Sequence, residues 1–249
     1  LKKLRCFATG MQEKYLKEKK SVNRLEITVE EISSQEREIY RTLRTNIEFT
    51  GIENRVIAVT SCAPNDGKST VAYELASAFA ENGKKTLLID ADLRKSALLN
   101  RLGIQEEIKG LSHVLSGQCN INDTICATNK TNLYMIPAGV FPTNPTELLG
   151  NDRFSKLIQA VKDVFQYVII DTPPIGNVID AAVVAKKCDG TVLVVKSDAI
   201  SRAEAKSAVE QIRSSNDNIL GVVLNKVDVK SNGYYGKYGK YKEYGYGNY

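Results

Sequence analysis

Six short runs of near-continuous Val, Ile and Leu recur along the chain, at 55–60, 85–89, 133–136, 167–171, 190–195 and 219–225. Strands with one wet face alternate apolar and polar residues. These runs do not, which predicts strands buried on both faces. Between them the spacing changes to that of helices. Residues 68–81 place Val71, Leu75, Ala78 and Phe79 on one face, and 152–165 do the same with Phe154, Leu157, Ile158, Val161 and Phe165. Such alternation predicts an α/β fold with a doubly wound, mostly parallel sheet. A further helix is expected at about 33–49, capped by Ser33 or Ser34, with an apolar stripe of Ile39, Leu43, Ile47 and Phe49. Asn144-Pro145-Thr146-Glu147 marks another helix start, with Asn144 as the cap, Pro145 at the first position and Glu147 at the third. After Asp228 the periodicity stops, and Gly, Lys and Tyr dominate a tail that reads as disordered.

The division that follows is a basic arm at 1–28, a body at 29–228 and a tyrosine-rich tail at 229–249. The charge is divided in the same way. Of the net +5, residues 1–24 carry +6 and 229–249 carry +3, so the body between is mildly acidic at −4. Basic ends of this kind are either plain solvated tails or are drawn to an anionic membrane surface or an acidic partner. Nucleic acid would fit the charge, but no nucleic-acid motif accompanies it. Apolar content of 43% with 25% charged residues excludes a disordered chain, a collagen or a coiled coil. No apolar run approaches the ~20 residues of a membrane span, and the first 20 residues lack the apolar stretch of a secretory signal. The five cysteines (6, 62, 119, 126 and 188) include no C-x-x-C pair. They read as reduced thiols of a cytoplasmic protein rather than a zinc site or disulfide framework. His113, the only histidine, reads as structural.

The first run leads into Cys62-Ala63-Pro64-Asn65-Asp66-Gly67-Lys68-Ser69-Thr70, directly before a helix. A strand, a Gly-Lys-Ser turn and a helix start together place backbone N–H groups around phosphate oxygens. Lys68 can then reach the β and γ phosphates, and Ser69 can ligate Mg²⁺. The first Gly of the usual pattern is replaced by Cys62. Two more runs end in carboxylates, at Asp90-Ala91-Asp92-Leu93-Arg94 and at Asp171-Thr172-Pro173-Pro174. Ligands of parallel sheets bind beyond the carboxyl ends of the strands. Asp90, Asp92 and Asp171 therefore meet the phosphate loop on one edge, where a carboxylate can hold Mg²⁺ or accept a hydroxyl proton. A single aspartate there would be no more than a helix cap. The last run ends in Asn225-Lys226-Val227-Asp228, a pattern that reads guanine in many GTPases, whereas related ATPases keep the Asn alone for adenine. ATP is the expected nucleotide and GTP the alternative.

Seven of the twelve tyrosines lie in the last sixteen residues: Tyr234, Tyr235, Tyr238, Tyr241, Tyr244, Tyr246 and Tyr249. Alone they would suggest a low-complexity tail that stacks on single-stranded nucleic acid or associates with itself. Beside phosphoryl-transfer motifs they read as substrate hydroxyls, the expected sites of phosphorylation.

These motifs together resemble the bacterial tyrosine kinases (BY-kinases), in particular the capsular polysaccharide CpsD/CapB type, over about residues 30–249. The resemblance is carried by the phosphate loop, Asp90-x-Asp92-x-Arg94 (the family's Walker A′), Asp171-Thr172-Pro173-Pro174 (its Walker B), Asn144-Pro145-Thr146-Glu147-Leu148-Leu149, the tyrosine tail and Glu38-x-x-Arg41-x-x-Arg44. It implies a P-loop NTPase fold of the MinD-like branch, with ATP and Mg²⁺ as cofactors. Lys68, Asp90, Asp92, Asp171 and Arg94 would be catalytic. Nucleotide would contact 63–70 (Ala63, Pro64, Asn65, Asp66, Gly67, Lys68, Ser69 and Thr70) and Asn225. Mg²⁺ would be held by Ser69, Asp92 and Asp171, and Asp90 would be the base, with its division of labour with Asp92 left open. Glu38, Arg41 and Arg44 would join subunits in a ring whose tails are phosphorylated in trans. The implied partners are a transmembrane activator of polysaccharide synthesis and a cognate tyrosine phosphatase, with the kinase peripheral at the inner face of the membrane. Residues 1–24 could themselves be a fused activator segment. Two positions depart from the family: Asn65 stands for a usual Gly and Ser96 for a frequent Pro. The alternatives are a Min/Par-type partition ATPase, against which Ala63 replaces the signature Lys, and a nucleotide-dependent adaptor without transferase activity.

Overall fold

A computed structural model describes residues 23–29, 31–105 and 108–228. The expected basic arm before residue 23 lies outside these residues. So do all the expected phosphorylation sites, Tyr234, Tyr235, Tyr238, Tyr241, Tyr244, Tyr246 and Tyr249.

The strands are β1 (Arg24–Leu25), β2 (Val56–Ser61), β3 (Thr86–Asp90), β4 (Cys126–Thr128), β5 (Leu133–Ile136), β6 (Tyr167–Asp171), β7 (Gly190–Lys196) and β8 (Ile219–Asn225). They form one sheet in the order β1-β4-β5-β3-β6-β2-β7-β8, parallel except where β4 meets β5. The predicted runs shift by a residue or less at their ends. β1 and β4 were not anticipated, because two- and three-residue edge strands carry no readable period.

Period-two alternation in β2, β3 and β6 divides the core between the two faces of the sheet. Ile57, Val59, Leu88 and Ile169 point to one face, with Leu25 and Ile27 from the amino-terminal segment. Val56, Ala58, Leu87, Ile89, Val168 and Ile170 point to the other. The first face is covered by α1 (Ser34–Phe49) and α2 (Lys68–Glu81). The second is covered by α4 (Leu111–Ser116), α6 (Asp152–Val164) and α7 (Asp180–Ala185), which follow the short α3 (Leu98–Arg101) and α5 (Pro145–Gly150). The last helix, α8 (Arg202–Arg213), closes a smaller cluster around Ile175, Leu193 and Ile212.

Three local expectations need correction. The α2 helix is not amphipathic: every residue from Val71 to Ala80 is buried, because the sheet lies on one side and α1 on the other. Phe79 stacks on Tyr167, with ring centroids 3.8 Å apart. In α1 the stripe packed on the core is the buried Ile47 with the half-buried Tyr40 and Leu43, while Ile39 and Phe49 are 64% and 83% exposed. The cap of α1 is Ser33, whose Oγ accepts from the Glu36 N–H at 3.2 Å in a capping box. At α5, Pro145 is the first residue, but the Asn144 side chain does not cap; its Nδ2 donates to Glu147 Oε2 at 2.8 Å.

Candidate active site

Parallel strands bring the carboxyl ends of β2, β3 and β6 to one edge, and register fixes their depth. Asp90 and Asp171 are paired neighbours in adjacent strands. The phosphate loop leaves β2 beside them. Gly67, at φ 97°, begins α2, and a side chain there would strike Asn225 Nδ2. Asn65, standing where the family has Gly, holds the left-handed conformation at φ 66°, which a short polar side chain tolerates. The loop is braced from inside, as the buried Asp66 carboxylate accepts from the Ala63 N–H at 2.9 Å. It is also braced from β8: Asn225 Nδ2 donates to the Asp66 carbonyl and Lys226 Nζ to the Asn65 carbonyl, both at 2.8 Å. Across the loop, Gly176 lets the Walker B turn close on the Cys62 carbonyl, where a Cβ would collide.

Lys68 lies at the centre. Its Nζ is 3.1 Å from Ser69 Oγ, 3.2 Å from Asp92 Oδ2 and 3.4 Å from Asp171 Oδ1. Burial works to lower its pKa, but the Asp171 and Asp92 carboxylates outweigh that and hold the ammonium above its usual range. Asp171 also accepts from the Ser69 hydroxyl; burial still raises its carboxyl, against the pull of Lys68. Asp90 has no exposed surface. Burial, then the Asp171 charge, push its carboxyl up to about 8. Its Oδ1 accepts from the Asp92 N–H at 3.2 Å and its Oδ2 from the Ser96 hydroxyl.

Three hard oxygen donors, from Ser69, Asp92 and Asp171, thus converge on the Lys68 ammonium, which would have to swing toward the phosphates for them to hold a metal ion. Among the described residues no group of three or more His, Cys, Asp and Glu side chains forms a metal cage on its own. That donor set suits Mg²⁺, which takes one or two carboxylates, a hydroxyl and phosphate oxygens rather than an all-protein shell.

The fold gathers Lys68, Ser69, Asp90, Asp92 and Asp171, with the loop 63–70 and Asn225 around them. Arg94 is turned away. Its Nε and Nη2 grip Asp180 Oδ2 and Oδ1 at 2.7 and 3.1 Å, and Nη2 also donates to Thr146 Oγ1 at 2.9 Å. Thr146 donates to Asp180 Oδ1 at 2.6 Å, and Asp180 is fully buried. This network ties the Walker A′ loop to α5 and α7. Sequence reasoning missed it, although a lone acid within the apolar stretch Ile179–Ala185 was the available signal. A cavity of about 530 Å³ beside the C-terminal half of α2, lined by Tyr40, Tyr73, Glu74 and Lys130, holds none of these groups. Glu38 and Arg41 lie exposed on α1, with a side-chain contact of 3.7 Å. Arg44 is largely buried and donates to the Ala78 carbonyl at 3.3 Å. His113 Nδ1 accepts from the Gly110 N–H, a structural role, and cysteines 62, 119 and 188 are free thiols. The tail tyrosines, from Tyr234 to Tyr249, fall beyond the described residues.

Residues 54–226 match the AAA domain family model. The tyrosine-protein kinase CpsD of Streptococcus agalactiae is 45% identical over 223 residues, covering 88% of this chain and 97% of that protein. Among solved structures, the chimerical protein CapA2B2 superposes with a TM-score of 0.73 at 36% identity, over 76% of this chain and 84% of the other. The kinase domain of the Escherichia coli tyrosine kinase ETK gives 0.75 at 32%, over 85% and 80%.

Proposed function

The chain belongs to the bacterial tyrosine-protein kinases of the CpsD type, and we propose that it phosphorylates the tyrosines of its own tail in trans and thereby regulates capsular or exopolysaccharide synthesis and export. The acceptors would be Tyr234, Tyr235, Tyr238, Tyr241, Tyr244, Tyr246 and Tyr249. The observation that carries this reading is the convergence of Lys68, Ser69, Asp92 and Asp171 beside a buried Asp90. The loop N–H groups after Pro64 hold the phosphates, and the Lys68 ammonium neutralises charge as it grows on the transferring group. Asn225, already against the loop, lines the adenine side. Mg²⁺, held by Ser69, Asp92 and Asp171 together with the phosphates, supplies charge neutralisation. Asp90 takes the proton of the acceptor phenol. The phenol oxygen then bonds to the γ-phosphorus as the bond to the β,γ-bridging oxygen breaks, and ADP leaves. Arg94 acts at one remove, by pinning the loop that carries Asp90 and Asp92.

Glu38 and Arg41, exposed on α1, suit salt bridges to a neighbouring subunit in a closed ring. The tail of residues 229–249 spans up to roughly 70 Å when extended, enough to reach a neighbour's site. Each phosphate adds about −1.5 to −2 charge. Several would reverse the basic tail and loosen the ring. Among the described residues no helix is long and apolar enough to cross a membrane. A position at the inner membrane face would come from docking on a transmembrane activator, with the basic residues 1–24 assisting. A cognate tyrosine phosphatase would reset the tail.

The test mixes a Lys68→Met chain bearing an intact tail with an active chain whose seven tail tyrosines are Phe. After ATP and Mg²⁺, mass spectrometry should find phosphate on the Lys68→Met tail. Its absence there, with phosphate on wild type alone, rejects transfer in trans. Phosphate on neither rejects the tail as substrate.

A further inference from the structure

Each oxygen of the Asp90 carboxylate has a donor on it, and the group is wholly covered. The backbone N–H of Asp92 occupies Oδ1 and the Ser96 hydroxyl occupies Oδ2, and no part of the residue reaches solvent. Ser96 is itself held in place, since its Oγ accepts from the Leu98 N–H at 3.2 Å and Leu98 is fully buried. The turn between them, residues 92–97, covers the carboxylate. It is fastened by Lys95 N–H to Asp92 Oδ1 at 3.1 Å and by the Arg94 grip on Asp180 and Thr146. An acceptor phenol must bring its oxygen to within about 2.5–3.0 Å of a carboxylate oxygen to donate its proton. The oxygen available for that bond is the one Ser96 holds, because a side-chain hydroxyl can rotate away whereas the backbone N–H on Oδ1 moves only with its turn.

We propose that Ser96 occupies the acceptor subsite: its hydroxyl holds the place on Asp90 that the acceptor tyrosine's hydroxyl takes during transfer, so the acceptor enters only as Ser96 leaves. Both hydroxyls donate to the same oxygen, and because no part of Asp90 reaches solvent the acceptor gains that oxygen only where Ser96 gives way. Ser96 therefore sets the concentration of tyrosine at which transfer is half-maximal. A proline at this position has no hydroxyl to compete. The inference rests on the reading of Asp90 as the base, and the test separates the two.

The experiment uses the full chain with its seven tail tyrosines changed to Phe, MgATP, and a synthetic peptide of residues 230–249 as acceptor. Ser96→Ala removes the competing hydroxyl, and the KM for the peptide should fall on the order of tenfold, the equilibrium value of one hydrogen bond to a charged group. Ser96→Thr, which restores the hydroxyl, should return KM to the parent value. Ser96→Gly serves as a second variant without the hydroxyl. An unchanged or raised KM in Ser96→Ala and Ser96→Gly overturns the proposal and leaves Ser96 as a prop for the turn. Asp90→Asn is run in parallel. If it binds MgATP but transfers nothing, the base reading stands and the KM result judges Ser96 alone. If it keeps full turnover, the base reading fails and this inference fails with it.

Discussion

The phosphate-loop edge and the outer face of α1 each carry a cluster of charged side chains, held in opposite ways. At the edge, the Lys68, Asp92 and Asp171 side chains are 13%, 8% and 1% exposed and bind one another. On α1, Glu38 and Arg41 are 56% and 49% exposed, and their contact is a loose 3.7 Å. Buried charges without partners are costly, so the edge is stable only as a set, and the set fixes where each group points. Exposed pairs contribute about 0–1 kcal/mol and leave both partners free for another molecule. The first arrangement suits chemistry on a ligand held in place, and the second suits an interface that forms and dissolves.

The comparison breaks most severely at Lys68. Lys68→Met keeps the bulk and loses the charge, so transfer should fall by on the order of 10³ or more. It also strands two buried carboxylates, and stability without nucleotide should drop by about 3 kcal/mol. Radiolabel transfer and thermal unfolding measure the two effects separately. If both remained near wild type, the edge would not be a mutually dependent set.

Asp90→Asn should divide the same two readouts in opposite directions, losing transfer while gaining stability. In the ligand-free fold the Asp90 proton is held up to about pH 8, whereas an unfolded aspartate gives it up near 4; the base role belongs to the site with Mg²⁺ bound, whose positive charge favours the ionised carboxylate. Between those values the folded state binds more protons, so stability falls as pH rises from about 4 to about 8 and levels off above. Asn, which needs no proton, should flatten that slope and raise Tm at pH 8 by several degrees, roughly 2 kcal/mol. Unfolding curves at pH 5 and pH 8 decide it; equal slopes in both proteins would show that Asp90 is ionised in the fold. Lys68 does not disturb this window, because its raised pKa acts only above about 10.

On α1 the effects are smaller and split between the two arginines. Arg44 is 16% exposed and donates to the Ala78 carbonyl, near the end of α2. Arg44→Ala should cost about 1–2 kcal/mol within the single chain. Arg41→Glu should change stability by less than about 0.5 kcal/mol while reducing the assembled mass seen by light scattering. A monomer produced by the Arg44 change alone, with Arg41→Glu still assembled, would place the interface elsewhere.

Much of this was legible along the chain. Strands buried on both faces must be continuously apolar, so β2, β3, β5, β6 and β7 declared themselves, and the residues after three of them had to share an edge; β8 is as apolar but, contrary to that expectation, lies at the sheet edge with Val222 and Leu224 exposed. Asn65 stands where the family has Gly, and it is among the few other residues that tolerate the left-handed backbone found there. The covering of each helix was less legible. Val71 to Ala80 are all buried because α1 lies over them, and Ile39 and Phe49 are exposed because α1 meets the body along Tyr40, Leu43 and Ile47. Neither fact is a property of the helix's own spacing.

By itself, the order of residues determined the element types, the parallel sheet and the roster of groups at its carboxyl edge, since period and motif spacing act over a few residues. Only the tertiary structure decided the partners. Asp180 and Thr146 lie 86 and 52 residues from Arg94, and no local pattern announces that they hold it. It also decided that Ser96, six residues from Asp90, turns its hydroxyl back onto that carboxylate. A buried polar group must find a partner wherever the packing leaves one, and the packing is settled by the whole chain at once.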